Sequence, residues 1–397
     1  MPSAPSPAER APAAHLPATP LPGADAHPHA RAVLEPALQP GGHVSHAYLF
    51  HGPPGTGKRA LARAFAAALL VDGARSPETV AERVARDSHP DLTWVRPSGA
   101  AEVLVADVEE PVVAAAARTP FESRRRVFVI EAADTMNDQA ANRLLKTLEE
   151  PPAFSHVLLL ADRREDVLAT IASRCQLVRF DPLPAARIAE NLASSAPTAE
   201  AGGARLLACA RLAMGDADMA ARLASEEGGE LRARAEQLAR FALSEPSGQA
   251  GERPWLGVLE LAKAAAAAAG ERSRERLQDE AELLPSKERK RHEREGAEAQ
   301  RRGERRARVG TLDLCLRVAE LWLRDVLCVG EGAPELIYAV DREAQLREDA
   351  DGREPMALRR AMELVADTRL SLSANVSEEL ALEALVYRLQ AIGPRFG

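Results

Sequence analysis

The sequence predicts an α/β domain built on a largely parallel sheet, followed by a small helical domain and a longer all-helical domain. Three observations carry this. From about His43 to Pro182, short apolar runs alternate with stretches of helical periodicity. A glycine-rich loop joins the first of these runs to the first long helix. After Phe180 the strand-like runs stop and only helical periodicity remains. Alternation of strand and helix is the pattern of a parallel sheet covered by helices on both faces.

Residues 1–26 are rich in Pro and Ala, without the basic start and continuous apolar segment of a signal peptide, and are expected to form a disordered leader. The α/β domain is placed at 27–182. Its strands are expected at "AYLFH" (47–51), "LTWVR" (92–96), "VFVIE" (127–131), "VLLLA" (157–161) and "LVRF" (177–180). Its helices are expected at about 57–71, 103–118, 138–149 and 164–171, with Pro111 kinking or shortening the second. A small helical domain follows at 183–228, with short helices near 186–195, 201–214 and 216–225. The pair Gly228-Gly229 marks the next boundary. The C-terminal domain, 229–397, should contain helices at 231–243, 254–270, 311–328, 356–369 and 376–391 and a charged insertion around 273–307. Leu380, Leu382, Leu385 and Leu389 are the apolar stripe expected to be buried in helix packing.

The formal net charge is −8, so any contact with nucleic acid must come from a local patch or a partner. One strongly basic tract exists, "KERKRHEREGAEAQRRGERRAR" (287–308); its plain reading is a solvated helix face of mixed charge, and a DNA-backbone contact is the alternative. The four cysteines, Cys175, Cys209, Cys315 and Cys328, are scattered without a C-x-x-C pair, which argues for reduced thiols in a cytoplasmic protein. No run reaches the ~18–20 consecutive apolar residues of a membrane span.

The segment "HGPPGTGKRALARA" (51–64) has the spacing of a phosphate-binding loop. Gly52, Gly55 and Gly57 let the backbone turn so that amides can surround phosphate oxygens at a helix start, and Lys58 adds a point charge. Gly52, Gly55, Thr56, Gly57 and Lys58 are thus the candidate nucleotide-phosphate site. The next position normally supplies a magnesium-binding hydroxyl, but here it is Arg59, which has no acceptor atom. In the candidate strand "RVFVIEAADTM" (126–136), Glu131 stands at the strand end, where an Asp metal ligand is expected, and Ala132 stands where a water-activating carboxylate belongs. Phosphate binding is therefore expected without turnover, and no metal site is assigned.

Two further motifs, "DQAANRLLKTLEEPP" (138–152) and "TIASRCQLVRFDPLP" (170–184), closely resemble bacterial clamp-loader subunits of the AAA+ class in the DNA polymerase III holoenzyme. "HAYLFHGPPGTGK" and "HPDL" (89–92) point within that group to the δ′ type. The resemblance is good over 43–225 and loose over 305–390. It implies an AAA+ P-loop domain, a helical lid and a C-terminal collar. It implies as partners the γ/τ and δ subunits in a hetero-pentamer, with the sliding clamp and primer-template DNA reached through the complex at the replication fork. ATP or ADP is implied as a ligand held without hydrolysis, and neither ATPase nor polymerase catalysis is expected of this chain. Arg174, in "SRC", matches the family's arginine finger, which reaches a neighbouring subunit's ATP. Such subunits usually carry a four-cysteine zinc module before "HPDL". Here residues 71–88 contain no cysteine, so zinc is not expected and no replacement is assigned. The alternative is a catalytically active clamp-loader ATPase of γ/τ type, against which Arg59 and Ala132 speak.

Overall fold

The computed structural model describes residues 21–72, 74, 76–97, 102–195, 202–244, 253–282, 286–373 and 376–392. The chain forms two compact units, 1–182 and 183–397.

The first unit holds five strands: β1 Ala47–His51, β2 Leu92–Val95, β3 Arg126–Ile130, β4 Ser155–Ala161 and β5 Gln176–Arg179. They lie in the order β2-β3-β4-β1-β5, and every pairing is parallel. β4 is buried at all seven positions, as a central strand covered on both faces must be. The period-two alternation sorts the side chains. Tyr48, Phe50, Leu158, Leu160, Val178 and Phe180 enter one core, while Leu49, Val157, Leu159, Phe128 and Ile130 enter the other.

Helices α1 Pro28–Leu38, α2 Lys58–Val71 and α3 Pro77–Ala85 cover the first face. The second is covered by α4 Val105–Val108, α5 Asp138–Glu149 and α6 Ala169–Ala172. Several of these depart from expectation. Positions 21–26 do not belong to a disordered leader: Leu21 and Ala24 are buried beside Leu34 and Leu38 of α1; positions 1–20 lie outside the described residues. The interval 71–88 contains α3, started by Pro77 and anchored by buried Val80 and Val84. The helix expected over 103–118 shrinks to α4 and then widens into a π turn, Glu109–Ala114, around Pro111, whose ring nitrogen cannot donate. The helix expected over 164–171 divides into a 3₁₀ turn, Arg164–Asp166, and α6, because Val167 is extended and turns into the core.

The second unit is helical among the described residues: α7 Ala185–Ser195, α8 Gly203–Leu212, α9 Ala217–Ala224, α10 Glu226–Leu243, α11 Pro254–Glu282, α12 Ser286–Gly330, α13 Glu343–Ala350, α14 Pro355–Ser373 and α15 Glu378–Ile392. A single core runs from Cys209 and Leu223 through Leu238, Trp322 and Val365 to Leu389. Gly228-Gly229 therefore do not separate two domains. They sit in the first turn of α10, where the Ser225 hydroxyl accepts from the Gly228 amide at 3.1 Å. A Cβ on Gly228 would stand 1.9 Å from the Arg222 carbonyl oxygen, so the glycine allows α9 and α10 to approach. The charged insertion expected around 273–307 is no separate helix: 273–282 end α11, and from Ser286 it is the N-terminal half of α12, which continues through the stretch expected at 311–328. In α15, Leu382, Leu385 and Leu389 are buried as expected, but Leu380 is 64% exposed, because it faces away from that core.

Candidate functional site

The phosphate loop leaves the end of β1 and enters α2. Its three glycines have positive φ, at 146° for Gly52, 66° for Gly55 and 86° for Gly57. At Gly52 this is compulsory, since a Cβ there would lie 2.1 Å from the Phe180 carbonyl oxygen. Thr56 is fully buried and its hydroxyl donates to the Pro53 carbonyl at 2.9 Å. Gly52, Gly55, Thr56, Gly57 and Lys58 thus lie in one loop between β1 and the start of α2.

Lys58, however, is turned inward. Its ammonium donates to the Gly52 carbonyl at 2.5 Å, the Pro53 carbonyl at 2.7 Å and the Asp162 carboxylate at 2.8 Å. An ammonium has three protons, and all three have protein acceptors. The loop is closed on itself by the residue that would reach an outer phosphate. His27 lies beneath it, buried, with its ring centroid 4.7 Å from that of Phe180. Burial lowers its pKa and favours the neutral ring.

The metal side of the loop is also rebuilt. Arg59 Nη2 forms an ion pair with Glu131 Oε2 at 2.8 Å. The other carboxylate oxygen accepts from the Trp94 indole at 2.6 Å and lies 3.4 Å from Arg96 Nε. A cation stands at the position of a magnesium-binding hydroxyl, and it neutralises the acid at the end of β3. Magnesium requires several oxygen ligands in near-octahedral geometry. Glu131 has both oxygens engaged and Arg59 has no oxygen, so these residues do not fit a magnesium-bound nucleotide. Ala132 follows in the left-handed region at φ 53°. Beyond it, Asp134 accepts from the backbone amides of Asp162 and Arg163 at 3.0 and 3.1 Å, tying β3 to β4.

Arg174 belongs to a separate cluster after α6. Its Nη2 donates to Glu149 at 2.7 Å and its Nη1 to the Thr170 carbonyl at 3.0 Å. The Arg174 and Glu149 side chains are 37% and 48% exposed, so this ion pair is at the surface. The neighbouring Cys175 thiol is pushed up to about 12 by burial, which makes it a poor nucleophile or metal ligand at neutral pH.

Sequence reasoning missed four participants: Asp162, Trp94, Arg96 and His27. Asp162 had a visible signal, standing directly after the apolar run of β4; the others had none. The "HPDL" motif is structural. Asp91 is fully buried and accepts from the backbone amides of Phe121, Glu122 and Ser123 at 2.5, 2.9 and 2.8 Å. His89 accepts from the Asp91 amide at 3.2 Å and reaches Glu122 at 3.1 Å.

A family model described as DNA polymerase III, delta subunit, matches residues 26–184. The DNA polymerase III subunit delta′ of Bacillus subtilis (strain 168) is 37% identical over 155 residues, covering 38% of this chain and 46% of that protein. Its counterpart in Escherichia coli (strain K12) is 32% identical over 213 residues, covering 52% of this chain and 62% of that protein. The gamma/tau subunit of Mycobacterium tuberculosis (strain ATCC 25618 / H37Rv) is 35% identical over 161 residues, covering 39% of this chain and 28% of that protein. The chain spans about half the length of the δ′ relatives it matches. Over its N-terminal α/β unit, this chain is similar to the delta′ subunits of DNA polymerase III.

Proposed function

We propose that this chain is the non-hydrolysing δ′ subunit of a clamp loader and that it assists ATP-driven placement of a sliding clamp on primer-template DNA. The observation that carries the reading is the Arg59–Glu131 ion pair at 2.8 Å, which replaces metal ligands with a salt bridge. The three-fold tethering of Lys58 supports it further. A P-loop in this condition serves as a structural joint between β1 and α2, and ATP or ADP meeting its backbone amides would not be turned over.

The proposed contribution to catalysis is made in trans by Arg174. A planar guanidinium offers forked donors to phosphate oxygens and steadies charge in the transferring phosphoryl group. Releasing Arg174 from an exposed pair with Glu149 costs little. The side chain can therefore be handed to ATP bound by a γ/τ-type neighbour. Assembly with γ/τ and δ subunits into a hetero-pentamer is assigned to the helical unit. There Leu380 and Tyr387 leave the outer side of α15 apolar and exposed.

The test is reconstitution with γ/τ and δ subunits, followed by single-turnover ATP hydrolysis and clamp loading. The isolated chain should hydrolyse no ATP, whether or not nucleotide meets its loop. Arg174→Ala should assemble normally yet slow the one affected site by up to ~10³-fold. Arg174→Lys should rescue poorly, since an ammonium lacks the planar fork. Turnover by the isolated chain that disappears in Lys58→Ala would instead establish the γ/τ-type ATPase, and wild-type loading by both Arg174 variants would exclude the finger.

A further inference from the structure

The hairpin of α11 and α12 has no role in the site described above. α12 runs over 45 residues, about 68 Å at 1.5 Å per residue. Within it, residues 287–308 carry ten Lys and Arg against five Glu, a local balance of +5 in a chain of net charge −8.

These cations are not spread evenly round the helix. Steps of three and four residues place Lys287, Arg291, Arg294, Arg301 and Arg305 on one stripe, interrupted once by Glu298. The hairpin packs through the other side. Gly296, about half a turn from the stripe, is buried so closely against α11 that an added Cβ would lie 2.5 Å from Leu277 Cδ2. Arg301 and Arg305 are exposed. At the lower end the stripe meets α15, where Arg308 pairs with Glu378 at 2.5 Å.

We propose that this stripe is a contact surface for duplex DNA, laid along its phosphate backbone. Charge complementarity carries the choice of partner. From 287 to 305 the stripe extends about 27 Å, with cations recurring at roughly one helical turn, opposite a polymer bearing one charge per about 1.7 Å of axis. The expected contact is to phosphates along the backbone, which carries no sequence information. The inference rests on the hairpin alone and stands or falls separately from the role of Arg174.

The experiment is fluorescence anisotropy of the full chain with a labelled 30-bp duplex, titrated between 50 and 200 mM salt. If the five cations each neutralise a phosphate, log K against log salt should fall with a slope of about −4.5. Arg294→Gln/Arg301→Gln/Arg305→Gln should flatten that slope by about 2.7, with helix content unchanged by circular dichroism. A charge-matched control, Arg347→Gln/Arg359→Gln/Arg360→Gln, should leave it unaltered. The proposal is overturned if the wild-type chain does not bind at 50 mM salt, if the stripe variant keeps the wild-type slope, or if the control is equally damaging. Binding to polyglutamate but not to duplex would assign the stripe to an acidic protein and also overturn it.

Discussion

Replacing Asp91 by Ala should loosen the α/β unit by a predictable amount. The carboxylate is fully buried and accepts from three consecutive backbone amides, those of Phe121, Glu122 and Ser123. Removing it leaves three donors without their acceptor. A buried unsatisfied donor costs about 1–3 kcal/mol. The low end applies here, because Phe121 and Glu122 lie at the surface and water can reach the vacated amides. Three such terms give about 3 kcal/mol, or about a hundredfold in the opening equilibrium. Asp91→Asn should cost less, since its amide oxygen still accepts while its NH₂ faces N–H groups. The readout is hydrogen exchange of the amides in β3 and β4, which reports this unit separately from the helical one. Exchange about a hundredfold faster in Asp91→Ala, with Asp91→Asn between it and wild type, is the expected result. Exchange within threefold of wild type in Asp91→Ala would refute the reasoning.

Three other outcomes follow from the same contacts. Burial pushes the His156 pKa down to about 4 from 6.5; the unfolded chain therefore takes up its proton first. Stability should be fully present above pH 6.5 and fall by up to about 3 kcal/mol as pH drops toward 4, and melting curves across that window should be flatter in His156→Gln; an unchanged slope rules this out. Gly52→Ala should cost about 3 kcal/mol through overpacking and backbone strain, since its Cβ would meet the Phe180 carbonyl at 2.1 Å; a melting temperature equal to wild type would contradict it. In α15, Leu385→Ala should cost about 2–5 kcal/mol as a core truncation. Tyr387→Ser, on the exposed side, should leave the fold intact and weaken assembly with the other subunits by size-exclusion chromatography; the reverse pattern would show that the two faces have been misassigned.

The sequence by itself determined the strand-and-helix framework of the first unit. All five strands were legible because each is a short apolar run bounded by turn residues, and a parallel sheet buried on both faces needs such runs. The glycines of the phosphate loop were legible because few residue types tolerate positive φ. The loss of metal ligation was legible as well, since Arg59 and Ala132 lack the necessary atoms whatever surrounds them. Only the tertiary structure decided what those side chains do instead. Arg59 meets Glu131 because the start of α2 and the end of β3 both lie at the C-terminal end of the parallel sheet, and Lys58 meets Asp162 because β1 lies beside β4. Gly228 looked like a boundary until its contact with the Arg222 carbonyl showed that it lets two helices touch. Leu380 and Leu382 look alike in sequence, yet one is 64% exposed and the other 0%. Local periodicity reports that an element has an apolar side. Which atoms that side meets depends on chain segments far away in sequence, and those contacts exist only once the fold has closed.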